Sequence, residues 1–408
     1  MSTAGPTGEV KARAWQRWQQ LGWPTTHNEA WRNFSTKPLQ ELDLGGGIVA
    51  GAPVPDALVA SLPTPRVVFV DGRLAPGLCV NDGFAVAVRR LGGEDVPDDR
   101  IDRVAPADGA LEALNTALLG DGVAIDVPAG FASSTLHVVH LVTGQGTAHV
   151  RTVVRLAEGA SLTLGQLHIG LGEGAYFINA VTEVELAPGA SLELGKCVRE
   201  GPAGMHLDAV HARIGARASF KSFTLSLSGA RSRTAITATL AGAHASADVD
   251  GLYFGKGRSK LDHVTDIRHA VGDTRSSETW AGVLDERAEG GFQGVIRIDR
   301  DAARSATRQL TRTLLLSNDA EAHAKPELHI DCDDVQASHG ATIGQLDAME
   351  QFYLASRGIP PEDARRMLIR AFVNKALSLA PEALRATFEA AVTAELGGVA
   401  VVEDSHED

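Results

Sequence analysis

A phrase of twelve residues repeats in this chain. "VRLAEGASLTLG" at residues 154–165 returns at an offset of 30 as "VELAPGASLELG" at residues 184–195. Looser copies follow: "ARIGARASFKSF" from Ala212, "ATLAGAHASADV" from Ala238, and a further echo, "LLLSNDAEAHAKPEL", from Leu314. Each copy joins an apolar strand to a tight turn holding Gly, Asn or Asp, and then to a small-residue step into an alternating strand. A period in the range of 20–50 residues signals a solenoid, because one such unit cannot bury its apolar face alone. Alternation without an intervening amphipathic helix makes it a β-solenoid, one coil per repeat or nearly so. The 43 glycines and the low aromatic share of 5% suit many tight turns between short strands. The pattern predicts a β-helix core over roughly residues 123–344.

Helical patterns flank this core. In "EVKARAWQRWQQLGW", Val10, Ala14, Trp18 and Leu21 recur at helical spacing, and Gly22 with Pro24 ends the run. A Gly- and Pro-rich stretch then leads into "RVVFVDGRL", where Asp71-Gly72 signals a hairpin. Residues 92–108, acidic and proline-containing, read as a linker or surface loop. After Gly344 the period turns helical. Asp347 and Glu350 form a capping box, "AMEQFYLASRG" closes at Gly358, and "PPEDARRMLIRAFVNKAL" shows Ala364, Met367, Leu368, Ala371 and Phe372 on one face. "PEALRATFEAAVTAEL" is a third helix, and the acidic "VEDSHED" reads as a disordered tail. The expected organisation is an N-terminal helical region with a short β segment and linker (1–105), the β-helix (106–345), and a C-terminal helical domain with an acidic tail (346–408).

Charge and cysteine usage narrow the function. A net charge of −13 argues against a nucleic-acid binder. No signal peptide and no run long enough to span a membrane are evident. Cys79, Cys197 and Cys332 are sparse, odd in number and far apart, which reads as free thiols in a reducing cytoplasm. No CxxC offers a self-contained zinc or iron–sulfur motif. The Gly-rich "GLGEGA" is followed by a strand pattern, so it lacks the helix N-terminus of a phosphate cradle and reads as a turn. "GLYFGKGRSK" lacks Walker A spacing. Pairs such as Asp262-His263 and Asp285-Glu286 would suit acid–base work in a carbohydrate-active β-solenoid enzyme, and equally suit a plain surface.

The densest candidate is "DCDDVQASHGATIGQLD" at residues 331–347. On one straight strand the seven-residue spacing of Cys332 and His339 would put them on opposite faces, about 23 Å apart at about 3.3 Å per residue. One strand therefore cannot make them co-ligands. Cys332 shares parity with Leu328 and Ile330 and reads as a core thiol. Asp331, Asp333 and Asp334 lack the glycine and distal glutamate of an EF-hand loop and read as a solvated turn. His339 shares parity with Val335, Ala337 and Ile343. It is either a satisfied inward histidine or a ligand at the open edge of the last coil, which needs a cap or a partner strand.

Three segments carry a resemblance: "DTRSSETWAGVLDERAEGGFQGVIRI", "RTLLLSNDAEAHAKPELHIDCDDVQASHGATIGQLD" and "FYLASRGIPPEDARRMLIRAF", with "PTTHNEAWR" near the N-terminus. The chain resembles the SufB/SufD family, the scaffold subunits of the SUF iron–sulfur cluster assembly machine, and "SHGATIG" is the form of the D-type branch. The resemblance implies a right-handed parallel β-helix flanked by helices, and a non-catalytic scaffold. It implies that His339 lies at a heterodimer interface with a B-type subunit and handles iron or a nascent cluster there. It implies that Asp347, Phe352, Tyr353, Arg357, Gly358, Ile359, Pro360, Arg366 and Phe372 dock an ABC-type ATPase subunit. No cofactor is expected to stay tightly bound to the chain alone. A reduced flavin in the complex and a homodimer of the isolated chain stay open. Some relatives carry a cysteine two residues before this histidine. Here that position is Ala337, and Cys332 does not simply replace it.

Overall fold

The repeated phrase folds as a corner. In the computed structural model, which describes residues 8–81, 86–91, 101–132, 134–227 and 229–396, each copy leaves one sheet, turns and enters a second. The last turn residue takes the left-handed conformation: Gly159 and Gly189 (φ 65° and 69°), then Arg217 and, in a corner one residue longer, His244 (φ 57° and 61°). Only glycine adopts this region without steric cost. Non-glycine residues are held there by a ladder of backbone bonds from coil to coil: Gly159 N–H donates to Pro188 O, Gly189 N–H to Ala216 O, Arg217 N–H to Ala243 O and His244 N–H to Asp273 O. The residue after each corner is small and buried (Ala160, Ala190, Ala218, Ala245).

Two ten-stranded sheets result. The main run of sheet A is β4 (Ala87–Arg90), β5 (Asp121–Val127), β7 (Gln145–Leu156), β9 (Tyr176–Leu186), β11 (Gly204–Ile214), β13 (Arg231–Leu240), β15 (Lys260–His269), β17 (Glu289–Ile298) and β19 (Glu321–Ile330), with β1 (Ile48–Val49) paired to β7. Sheet B runs β3 (Arg73–Leu74), β2 (Arg66–Val70), β6 (Thr135–Val142), β8 (Ser161–Gly170), β10 (Ser191–Arg199), β12 (Ser219–Leu227), β14 (Ser246–Gly255), β16 (Arg275–Leu284), β18 (Ser305–Leu315) and β20 (Val335–Gly344). From β5 and β6 onward, neighbours within each sheet pair in parallel, which gives a β-solenoid of about eight turns. The register stacks like on like: Leu162 on Leu192, Leu164 on Leu194, Gly165 on Gly195. The "LLLSNDAEAHAKPEL" echo joins β18 to β19 and so sits at the opposite corner, from sheet B to sheet A.

The two flanks cover opposite sheets. The expected N-terminal helix is α1 (Glu9–Leu21), packed beside α3 (Ala110–Ala117); a short α2 (Asp56–Ser61) lies between them in sequence. Trp15, Trp18, Trp23 and Trp31 gather with Phe34 over Phe177 and Leu207 on the outer face of sheet A. Asp71-Gly72 makes the expected hairpin turn between β2 and β3. At the other end α4 (Ala348–Ser356), α5 (Pro361–Leu377) and α6 (Glu382–Glu395) follow β20. Helix α5 lies against β14 and β16, and α6 against β12, closing the outer face of sheet B.

The apolar face expected on α5 is corrected here. Met367 and Ala371 are exposed and Leu368 and Phe372 half-buried, while Ala364, Ile369, Val373, Ala376 and Leu377 are buried. Apolar residues occupy most of this helix's circumference, so two stripes compete, and the outer face of sheet B selects one. Part of the 92–108 segment and the whole acidic tail lie outside the described residues.

Candidate functional site at the open end of the solenoid

Among the described residues, strands β19 and β20 each pair on one side only, so the last coil leaves two edges uncovered. The edges differ. β19 carries Pro326, which has no N–H, between Lys325 and Glu327; such residues blunt an edge against pairing. β20, "VQASHGATIG", has no proline, lysine, arginine or carboxylate. It is the edge left able to pair.

His339 stands on this edge. Its register partner in β18 is Gln309, whose own partner in β16 is Glu278. Along β18 the alternate residues Ser305, Thr307, Gln309, Thr311 and Thr313 are buried, and they pair with Val335, Ala337, His339, Ala341 and Ile343. His339 therefore belongs to the inward row, as its parity predicts. No further coil covers it, so it is exposed. Behind it the row is polar. Gln309 Nε2 donates to Glu278 Oε2 at 2.6 Å. Burial pushes the Glu278 carboxyl up to about 7. Such a carboxyl is about half protonated at neutral pH, where an ordinary one is ionised, since burial penalises its charged form.

Cys332 is not on either strand. It lies in the turn between β19 and β20, half-buried beside Leu328, Val335 and Ala337 over Ile296 and Ile298. The core reading holds in part: the thiol packs on apolar neighbours, but the last coil is too open to bury it. Asp331, Asp333 and Asp334 are exposed, and the Asp334 carbonyl accepts the Arg304 N–H at 2.7 Å in the corner ladder. Cys79, Cys197 and Cys332 are all free thiols. Cys197 is buried under the C-terminal helices, and burial pushes its thiol up to about 12.

The remaining expected residues fall on and around α4. Asp347 caps it, accepting the Met349 N–H at 2.7 Å. Phe352 and Tyr353 project into solvent at 69% and 56% exposure, beside Met349 at 74%, an apolar patch too open to be core. Arg357 lies over the Tyr353 ring, 5.0 Å from its centroid. Gly358 (φ 81°) ends the helix, Ile359 is half-buried and Pro360 leads into α5. Arg366 is exposed and ion-paired with Asp363. Phe372 differs from this group, because it packs inward against the core under the helices.

The paired acid–base residues do not assemble. Asp262 and His263 are neighbours on β15 and point to opposite faces: Asp262 pairs with Arg233, while the His263 ring stacks between Tyr253 and Trp280 inside the coil. Asp285 and Glu286 sit in a corner, with Asp285 3.7 Å from Arg365. "GLGEGA" is the turn from β8 to β9, as expected. Among the described residues, one group of three His, Cys, Asp or Glu side chains has converging ligand atoms, and it is not at this end: His168, Glu200 and His206. No motif marks them. They come together only through the coil register.

A parallel β-solenoid with an open, histidine-bearing last coil and a helical cap on one sheet defines the class, and comparison with known proteins identifies it. Residues 140–372 match the family model for the SUF system FeS cluster assembly, SufBD core domain. The chain belongs to this SufBD family. It is similar to the iron–sulfur cluster assembly protein SufD of Escherichia coli K12, 30% identical over 88% of this chain and 86% of that one. It is also similar to a SufBD family protein of Synechocystis, 27% identical over 88% and 84% of the two chains, and to SufD of Bacillus subtilis, 30% identical over 66% and 63%. These likenesses favour iron–sulfur cluster assembly and lend nothing to the carbohydrate-active reading. Among the described residues, no helix is long and apolar enough to cross a membrane.

Proposed function

We propose that the chain is a non-catalytic, cytoplasmic scaffold subunit of the SUF complex that builds nascent iron–sulfur clusters together with a B-type scaffold subunit and an ABC-type ATPase subunit. The observation that carries this reading is the last coil: an uncovered edge strand, free of proline and formal charge, with His339 exposed on its inward row. A partner strand added to β20 would continue sheet B and enclose His339 between two subunits. An imidazole nitrogen is a competent ligand for iron, so His339 meets the cluster, which is cargo, across that boundary. The polar row behind it, Gln309 and Glu278, keeps the ring's inner side hydrophilic. The exposed patch around Phe352 and Tyr353, with Arg357 stacked on the tyrosine, supports a docking role for α4 toward the ATPase. Phe372, half-buried on the core under the helices, contributes to that docking by holding the fold beneath it.

The test is reconstitution of the three-subunit complex with iron and sulfide analysis. His339→Ala should lose most of the cluster while the complex still assembles. Phe352→Ser with Tyr353→Ser should lose the ATPase while the two scaffolds stay paired. An unchanged cluster yield in the histidine variant, or its loss only through unfolding, would overturn the assignment.

A further inference from the structure

Within the N-terminal half of the solenoid, the inward rows carry a cluster that the proposed function does not use. His140 lies on β6, His168 on β8 and His206 on β11, with Glu200 just past the end of β10. All four are at least nine-tenths buried. His140 and His168 are register partners, their rings stacked with centroids 4.7 Å apart, and His206 meets His168 edge-on at the same separation. One nitrogen of His168, one of His206 and one oxygen of Glu200 lie within 4.8 Å of one another. His168 Nδ1 and His206 Nε2 are buried and have no hydrogen-bond partner. Buried imidazole nitrogens left without a partner are costly.

The surroundings hold the donors in place. His206 Nδ1 donates to Glu200 Oε1 at 2.7 Å, and the Tyr176 hydroxyl donates to Glu200 Oε2 at 2.6 Å. The Gly201 N–H in turn donates to the tyrosine oxygen at 2.7 Å. An ion bound at His206 Nδ1 would displace the proton shared with Glu200 to solvent and take Glu200 Oε1 as a neighbouring ligand. Lys196 is close by, but both oxygens of Asp208 hold its ammonium at 2.6 Å, so the pair is neutral. The Phe69 ring stacks on His140 at 4.9 Å and closes the far side. Burial also holds the His168 ring in its neutral form, with a lone pair free.

We propose that His168, Glu200 and His206 bind one divalent transition-metal ion of the zinc class, with water at the fourth position. Two imidazoles and a carboxylate form a donor set suited to zinc and its neighbours, and less suited to magnesium or calcium, which take oxygen. The ion would tie successive coils together from inside. Because the site is enclosed, it loads as the chain folds and resists removal afterwards. Such an ion would be an exception to the expectation that no cofactor stays tightly bound to the chain alone. It is independent of His339 and of the cluster cargo.

The experiment uses the full-length chain, unfolded and refolded with excess Co2+, then passed through a chelator. Elemental analysis should find about one cobalt per folded chain and no sulfide, with visible absorption of nitrogen- and oxygen-ligated cobalt. His339→Ala and His263→Gln, the latter a change at another buried histidine, should keep the ion. His168→Gln and His206→Gln should each weaken retention by at least about tenfold. Folded wild-type chain without stoichiometric cobalt overturns the proposal, and that measurement stands even if the variants do not fold. Equal retention by the variants overturns it as well.

Discussion

At the scale of single residues, the solenoid carries buried polar groups in the same inward rows as its apolar core, and Glu278 shows the consequence. Its carboxyl is fully buried, and its folded-state value of about 7 lies above the ordinary 4.5. Between those values the unfolded chain carries the ionised form and the folded chain the protonated one, so the folded state binds more protons. Stability contributed at this site therefore falls as pH rises from about 4.5 to about 7 and levels off above. Glu278→Gln keeps an oxygen to accept from Gln309 and removes the titration. Denaturant titrations at mildly acidic and mildly alkaline pH should show the wild type losing roughly 3 kcal/mol relative to the variant across that window. The buried histidines, among them His140 and His263 at about 3, act in the opposite direction, gaining stability up to their unfolded value of 6.5. The comparison with the variant separates Glu278 from them. Parallel pH profiles for the two proteins would remove the argument.

At the scale of elements, the C-terminal helices are part of the fold and not an appendage. Leu384, Phe388 and Val392 of α6 are buried on the outer face of sheet B, and the Phe388 ring lies 5.5 Å from that of Phe223. Cutting the chain after β20 would uncover that apolar face, so truncation is a poor test of ATPase docking. Surface changes on α4 are the cleaner one. The same packing explains the glycine that ends the repeated phrase. A Cβ at Gly195 would come within 2.3 Å of Leu384 Cδ1 and 2.8 Å of Phe388 Cζ, and one at Gly165 within 2.6 Å of the His137 ring. Phe388→Ala should cost about 3–5 kcal/mol, and Gly195→Ala about 1–3 kcal/mol through displaced helices, both read from thermal or denaturant unfolding. A neutral Gly195→Ala would mean that α6 does not rest on this column.

At the scale of the whole molecule, the solenoid is closed along its sides by two unlike flanks, tryptophans over sheet A and helices over sheet B, and left open at its last coil. An inward-row position on that coil is exposed in the isolated chain, and on the proposed pairing it would become core as a partner extends the sheet. Ala341 is such a position, next in the row after His339. Ala341→Lys should leave the unfolding midpoint nearly unchanged, within about 0.5 kcal/mol for a surface site, yet weaken scaffold pairing at least about tenfold, as read by calorimetry or analytical ultracentrifugation. Any self-association of the isolated chain through this edge should fall with it. Unaltered pairing would place the heterodimer interface elsewhere.

The repeated phrase by itself determined the architecture. Turn, small residue and alternating strand are local instructions, and they recur because each coil solves the same steric problem. The inward parity of His339 was likewise local, since strand alternation has a period of two. What the sequence could not show depends on which residues become neighbours. Arg217 and His244 occupy the glycine position of the corner because backbone bonds from adjacent coils hold it, so the third and fourth copies look degraded although their geometry is kept. The buried stripe of α5 was decided by the sheet beneath it. His168, Glu200 and His206 lie in no motif, because their meeting depends on a register between coils that is set by the length of every intervening turn. The terminal glycines of the repeat look like turn residues, yet they sit within strands β8 and β10, and what lies above them, α6 over Gly195 and the His137 ring over Gly165, accounts for the missing side chains.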